Sequence, residues 1–225
     1  MNKTVYTLNV DGYAPEITEL TYPWLRHYAS KIGASFHVID SRCWHGFAPV
    51  YEKLQIGRLA RERGDDWSIY IDSDALVHPD MFDVTEHLTP DTVAHNGADM
   101  AGNRWRYDDY FRRDGRHIGS CNWFTVASRL CLDLWAELDI PYDEAVSNIF
   151  PIHAELAAGI SPDHLIDDYI LSRNIARFGL KFTTVTNILA ARGDPGNYLW
   201  HQYTITVPEK VEALKAVITA WGLDA

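Results

Sequence analysis

The sequence predicts an α/β fold, with helices covering both faces of a mostly parallel central sheet. Three observations support this. Strand-like and helix-like segments alternate through the first 75 residues. The segment WSIYI at 67–71 is apolar almost throughout, the pattern of a strand buried on both faces. Asp72 and Asp74 follow it at once, where the carboxyl end of such a strand opens on a ligand crevice.

The opening run TVYTLNV is β-branched and apolar, and DGYAPE ends it with turn residues. EITELTYPWLRHYASKIG reads as a helix, with Pro23 suited to the first turn of a second helical half and Gly33 to the stop. SFHVID is then a second strand, which completes a β-α-β unit. After an aromatic-rich loop, VYEKLQIGRLARERG sets Tyr51, Leu54 and Leu59 at helical spacing and closes at Gly64. CNWFTVAS reads as a later strand, and SRLCLDLWAEL as a helix capped by Ser128.

SPDHLIDDYILSRNIARFG has the strongest helix signals: a Ser161 cap, Pro162 in first position, an acidic first turn and a stop at Gly179. KFTTVTNIL reads as another strand. PEKVEALKAVITAWG is an amphipathic helix whose apolar stripe is Val211, Leu214, Ile218 and Trp221. No internal repeat or low-complexity segment interrupts the chain, and 225 residues suit a single domain spanning 1–225.

Charge and composition narrow the function classes. A net charge of −11 repels a phosphate backbone and an anionic membrane surface, so nucleic acid is not an expected partner. Cys43, Cys121 and Cys131 are odd in number and lack metal-ligand spacing, which predicts reduced thiols. No apolar stretch is long enough for a signal peptide or a membrane span, so a cytoplasmic location is expected.

Two carboxylates at i and i+2, leaving a buried strand, can direct oxygens at one point. Unpaired they would repel, and a divalent cation removes that cost. A structural alternative has Asp72 capping the turn and Asp74 solvated. The same cation would neutralise the leaving-group charge of a diphosphate.

DDWSIYIDSDALVHPD resembles the Asp-x-Asp segment of GT-A glycosyltransferases, especially the galactosyl/mannosyltransferase and glycogenin-like groups that use nucleotide sugars. YEKLQIGRLARERG resembles the helix before that motif, YTLNVDGYAPE the first strand and nucleobase loop, and CNWFTVASRLCLDLWAEL a later strand-helix unit. The resemblance implies a GT-A-like α/β/α sandwich. Residues up to about 95 would form the nucleotide-binding half and about 96–225 the acceptor and sugar half.

The resemblance further implies that Asp72 and Asp74 bind Mn²⁺ or Mg²⁺, with Ser73 and Lys53 in the donor site. Asn9, Asp11 and Tyr13 would lie near the nucleobase and ribose. LIDDYIL resembles the acidic pair that contacts the transferred sugar. Adjacent helical residues diverge by about 100°, so Asp167 and Asp168 cannot both face one point, and Asp168 is favoured for the site. NYLWHQY places His201 where these families often have a third metal ligand, and a neutral imidazole suits Mn²⁺. The Gly and Lys that commonly follow that His are absent here, and Arg192 is the candidate replacement for the diphosphate-binding Lys.

The implied activity is transfer of a sugar from a nucleotide-diphosphate donor, UDP favoured, to an acceptor hydroxyl, with retention. RWRYDDYFRRDGR at 104–116 interleaves five Arg with four aromatic residues, as a donor lid, an acceptor platform or a solvated Arg–Asp loop. Two other readings remain open. IYIDSDALV also fits the first motif of haloacid-dehalogenase-type phosphatases, although Leu76 and the third-strand position depart from it. The chain could also be a non-catalytic nucleotide-sugar binding module.

Overall fold

The computed structural model describes residues 1–96, 122–151 and 153–223. Its centre is a six-stranded sheet built from β1 (Lys3–Leu8), β2 (Ser35–Ile39), β3 (Trp67–Ile71), β5 (Thr92–His95), β6 (Phe124–Ser128) and β7 (Lys181–Thr184), in the order β2-β1-β3-β6-β5-β7. β1 pairs in parallel with β2 and β3, and β5 in parallel with β7, while β6 runs antiparallel to both its neighbours. The sheet is therefore mostly parallel, as the sequence predicts.

Alternation along the strands divides the core in two. Val5, Ile69, Ile71, Phe124 and Val126 face Leu25, Tyr28 and Ala29 of α1 (Pro15–Lys31), with Val185 and Ile188 of a later helix. Tyr6, Tyr70 and Ala127 point the other way. They meet Ile56 and Ala60 of α2 (Gln55–Arg63), Trp135, and Ile166, Tyr169 and Ile170 of a helix in the second half. All five residues of β3 are buried, because helices cover both of its faces.

Beyond β6 the chain forms α3 (Tyr142–Ser147), α4 (His153–Ala157), α5 (Ile166–Arg177), α6 (Val185–Arg192) and α7 (Val207–Ala220). β4 (Leu76–Val77) pairs antiparallel with β8 (Leu199–Trp200). Leu214 and Ile218 of α7 close a third apolar cluster with Ile17 and Leu76, and Val211 and Trp221 pack at its edge. Among the described residues, no helix is long and apolar enough to cross a membrane.

Several elements depart from their sequence reading. α1 is continuous through Pro23 rather than divided there. Pro23 and Glu19 lie on the exposed side, so the one carbonyl that loses its partner can be hydrated. SRLCLDLWAEL forms 3₁₀ turns over Arg129–Trp135, although Ser128 does cap them by accepting from Leu130 N at 3.0 Å. Its buried residues, Cys131 with Leu134 and Leu132 with Trp135, recur every three residues, a spacing that suits 3₁₀ geometry. KFTTVTNIL is a strand only to Thr184, whose hydroxyl accepts from Asn187 N at 3.0 Å and starts α6. Cys43 is exposed and Cys131 buried, both as free thiols, while Cys121 and segment 104–116 lie outside the described residues.

Candidate active site

The turn after β3 is fixed from three directions. Asp72 N donates to Trp123 O at 2.8 Å, Ala75 N donates to Asp72 O at 3.1 Å, and Thr21 Oγ1 of α1 donates to Ser73 O at 2.5 Å. Asp72, Ser73 and Asp74 thereby line a cavity of about 420 Å³ at the carboxyl edge of β1 and β3, with Tyr13, Lys53 and Lys210 among its other walls.

His201 reaches this turn through strand pairing. β8 lies in register with β4, Trp200 opposite Leu76, so the residue after β8 arrives beside the residues before β4. His201 Nε2 stands 3.3 Å from Asp74 Oδ1 and 3.8 Å from Asp72 Oδ2. Its ring stacks between Trp123, with centroids 5.0 Å apart, and Tyr203 at 6.3 Å, which fixes its plane. One donor atom from each of Asp72, Asp74 and His201 lies within 4.8 Å of the others.

These residues fit a divalent cation. Two carboxylates and one imidazole form an oxygen-rich donor set of the kind Mn²⁺ or Mg²⁺ accepts, without the thiolates typical of structural zinc. Ligands in adjacent positions around an ion at about 2.1 Å lie about 3 Å apart, close to the 3.3 Å between His201 Nε2 and Asp74 Oδ1.

Behind Asp72 lies a buried charge network. Lys53, 2% exposed, sits 3.0 Å from Asp72 Oδ1 and 2.5 Å from Asp167 Oδ2, and donates to Asn122 Oδ1 at 3.0 Å. Its ammonium also lies 4.6 Å from the centre of the Tyr70 ring, and the Tyr70 hydroxyl donates to Asp72 Oδ1. Burial opposes the lysine's charge, yet Asp167 and Asp72 hold its pKa above the ordinary lysine value. Two carboxylates share this one ammonium. Burial pushes Asp167 up against the pull of Lys53, and the nearby charges of Asp168 and Asp72 add to the rise.

Asp74 has a different cation. Lys210 of α7, 4% exposed, pairs with Asp74 Oδ2, and the Tyr13 hydroxyl donates to the same oxygen at 3.3 Å. Burial alone would raise this carboxyl, but the charges of His201 and Lys210 hold it well below the usual carboxylate range. Burial and the charge of Asp74 push the Tyr13 phenol well up, so it stays protonated and donates.

The structure brings Tyr13, Lys53, Asp72, Ser73, Asp74 and His201 to one cavity, with Asp11 at its wall. Asp11 holds a left-handed φ of +59° and pairs with Arg42 at 2.8 Å. Asn9 is not among the described lining residues; its N–H donates to Ile39 O at 2.8 Å and its amide oxygen is buried. Asp167 joins through Lys53, whereas Asp168, next along α5, is buried without lining the cavity.

Arg192 is not brought to this site. It ends α6, lies over the Phe82 ring at 4.2 Å, approaches His87 Nε2 at 2.6 Å and borders a different depression. Besides Lys53, the cavity is lined by a second lysine, Lys210, which the sequence reading did not single out. Its signal was present: Lys210 stands four and eight residues before Leu214 and Ile218, so a lysine interrupts the buried stripe of α7.

A solved structure described as a glycosyltransferase involved in the glycosylation of the major capsid of PBCV-1 is similar over 96% of this chain and 100% of that one, with a TM-score of 0.55 and 13% identity. A protein from STIV is similar over 82% of each chain with a TM-score of 0.39 and 10% identity, too weak to support an argument. No family model and no curated protein matches the chain. The first likeness shows a glycosyltransferase-like fold.

Proposed function

We propose that the protein is a metal-dependent glycosyltransferase, moving a sugar from a nucleotide-diphosphate donor, UDP favoured, to an acceptor hydroxyl with retention. The observation that supports this most is the convergence of Asp72, Asp74 and His201 beside a cavity of about 420 Å³ at the carboxyl edge of the sheet. That volume lies within the range of small-molecule sites.

Asp72, Asp74 and His201 would hold Mn²⁺ or Mg²⁺, which when bound supplies positive charge to the departing diphosphate. Tyr13 and Asp11 border the space proposed for the base and ribose, with Asn9 just behind it. Lys210, paired with Asp74 at the cavity, supplies the positive charge for the diphosphate that Arg192 is too far away to give. Asp167 and Asp168 are the proposed groups nearest the transferred sugar, and the ion pair with Lys53 favours Asp167. The protein contributes orientation and preorganised charge, which lower the barrier without a costly rearrangement.

In this reading residues up to about 95 form the nucleotide half and the remainder the sugar and acceptor half. Thermal unfolding with Mn²⁺ and a panel of nucleotide sugars tests the proposal, because a bound donor raises apparent stability by mass action. A rise with a UDP-sugar and Mn²⁺ together, followed by release of UDP, is the expected result. No rise with any nucleotide sugar contradicts it, and a rise without turnover leaves a binding module.

A further inference from the structure

We propose that Lys210 is a built-in occupant of the cation site, transferred from Asp74 to the donor's phosphate when cation and nucleotide bind together. The inference rests on the metal-site reading above and adds a device to it. Both oxygens of Asp74 are engaged. Oδ1 faces His201 Nε2 at 3.3 Å, while Oδ2 accepts from the Tyr13 hydroxyl at 3.3 Å and from the Lys210 ammonium. A cation ligated by Asp74 therefore meets a positive charge already in place.

The lysine cannot retreat far. α7 is pinned by Leu214 and Ile218 in the cluster with Ile17 and Leu76, and Glu209 accepts from Thr206 N at 2.8 Å at its start. What remains free is the four-carbon stem, which can swing its ammonium across the cavity that Lys210 lines. Another acceptor is hard to find. Of the other carboxylates lining the cavity, Asp72 is held by Lys53 at 3.0 Å and Asp11 by Arg42 at 2.8 Å. Once a cation takes Asp74, the ammonium is buried without an anion unless the ligand brings one, and burial of an unpaired charge is strongly unfavourable. A diphosphate is such an anion.

Cation alone should therefore bind weakly, and cation and nucleotide should strengthen each other reciprocally. Mn²⁺ is titrated calorimetrically into the wild type and Lys210→Met, each with and without saturating UDP. The expected result is that Lys210→Met binds Mn²⁺ alone about tenfold more tightly than the wild type, while UDP enhances its Mn²⁺ affinity less. Equal or weaker binding of Mn²⁺ alone by a folded Lys210→Met overturns the inference and leaves the metal site standing. If the wild type binds no Mn²⁺ with or without UDP, the metal-site reading itself fails and the inference falls with it. Should Lys210→Met not fold, Lys210→Gln removes the charge but keeps a donor toward Asp74, and the same comparison decides.

Discussion

Asp72 and Asp74 leave one strand two residues apart, yet they belong to different charge systems. Asp72 is tied to the interior by Lys53 and Tyr70, and through Lys53 to Asp167 at the start of α5. Asp74 is tied to the cavity wall by Tyr13, His201 and Lys210, the last two from the final 25 residues. The first system is a buried ion network that holds the sheet to α5. The second gathers side chains from two distant parts of the sequence around the cavity. The difference teaches that two carboxylates of one short motif can face the same point while only one of them also ties that point to the interior of the fold.

Breaking the Asp72 system should have the largest effect. Lys53→Met leaves the buried Asp167 and the partly buried Asp72 without their shared cation, and loss of one partner of a buried pair typically costs about 3–5 kcal/mol. Urea unfolding should show a loss of that order. A loss below about 1 kcal/mol would mean that the network is hydrated rather than a structural pair.

Breaking the Asp74 system should act on binding instead. His201→Ala removes one donor and the ring stacked on Trp123 at 5.0 Å. Mn²⁺ affinity measured calorimetrically should weaken by at least about tenfold, with a smaller loss of stability than in Lys53→Met. Unchanged Mn²⁺ affinity would remove His201 from the ligand set and make it a packing residue.

The smallest effect is expected at a pair remote from both aspartates. Arg173 of α5 holds Asp139 by bonds of 2.5 and 3.1 Å and keeps its carboxyl below the usual range. A depressed carboxylate pKa contributes stability above the unfolded value, about 3.9, and that contribution is lost as pH falls through the folded value. Asp139→Asn should therefore cost about 1 kcal/mol or less at pH 7, and progressively less below pH 4. A cost that grows on acidification would reverse the assigned sign.

The legible parts of the molecule were those written in local pattern. WSIYI announced a buried strand because helices cover both of its faces, and the two aspartates after it marked the carboxyl edge. The start of α5 was readable from Pro162 and the acids behind it, although Ser161 makes no side-chain cap there and the first turn is 3₁₀. The β7–α6 boundary was hidden because Thr183, Thr184, Val185 and Thr186 are all β-branched, a strand preference that the Thr184 cap overrides. His201 was reached by resemblance, since its approach to Asp74 depends on the pairing of β4 with β8. Lys210 was missed because its partner lies 136 residues away, and only the break in an apolar stripe hinted at its burial.

The central claim is that Asp72, Asp74 and His201 form a cation site serving a nucleotide-diphosphate donor. Calorimetric titration of Mn²⁺ in the presence of UDP, into the wild type and Asp74→Asn, tests it most directly. Asp74→Asn keeps the shape of the side chain and removes its charge, which weakens the site both as a ligand and as the partner of Lys210. The account predicts saturable Mn²⁺ binding by the wild type and a loss of at least about tenfold in Asp74→Asn at the same UDP concentration. Equal Mn²⁺ affinity in the two folded proteins would contradict it.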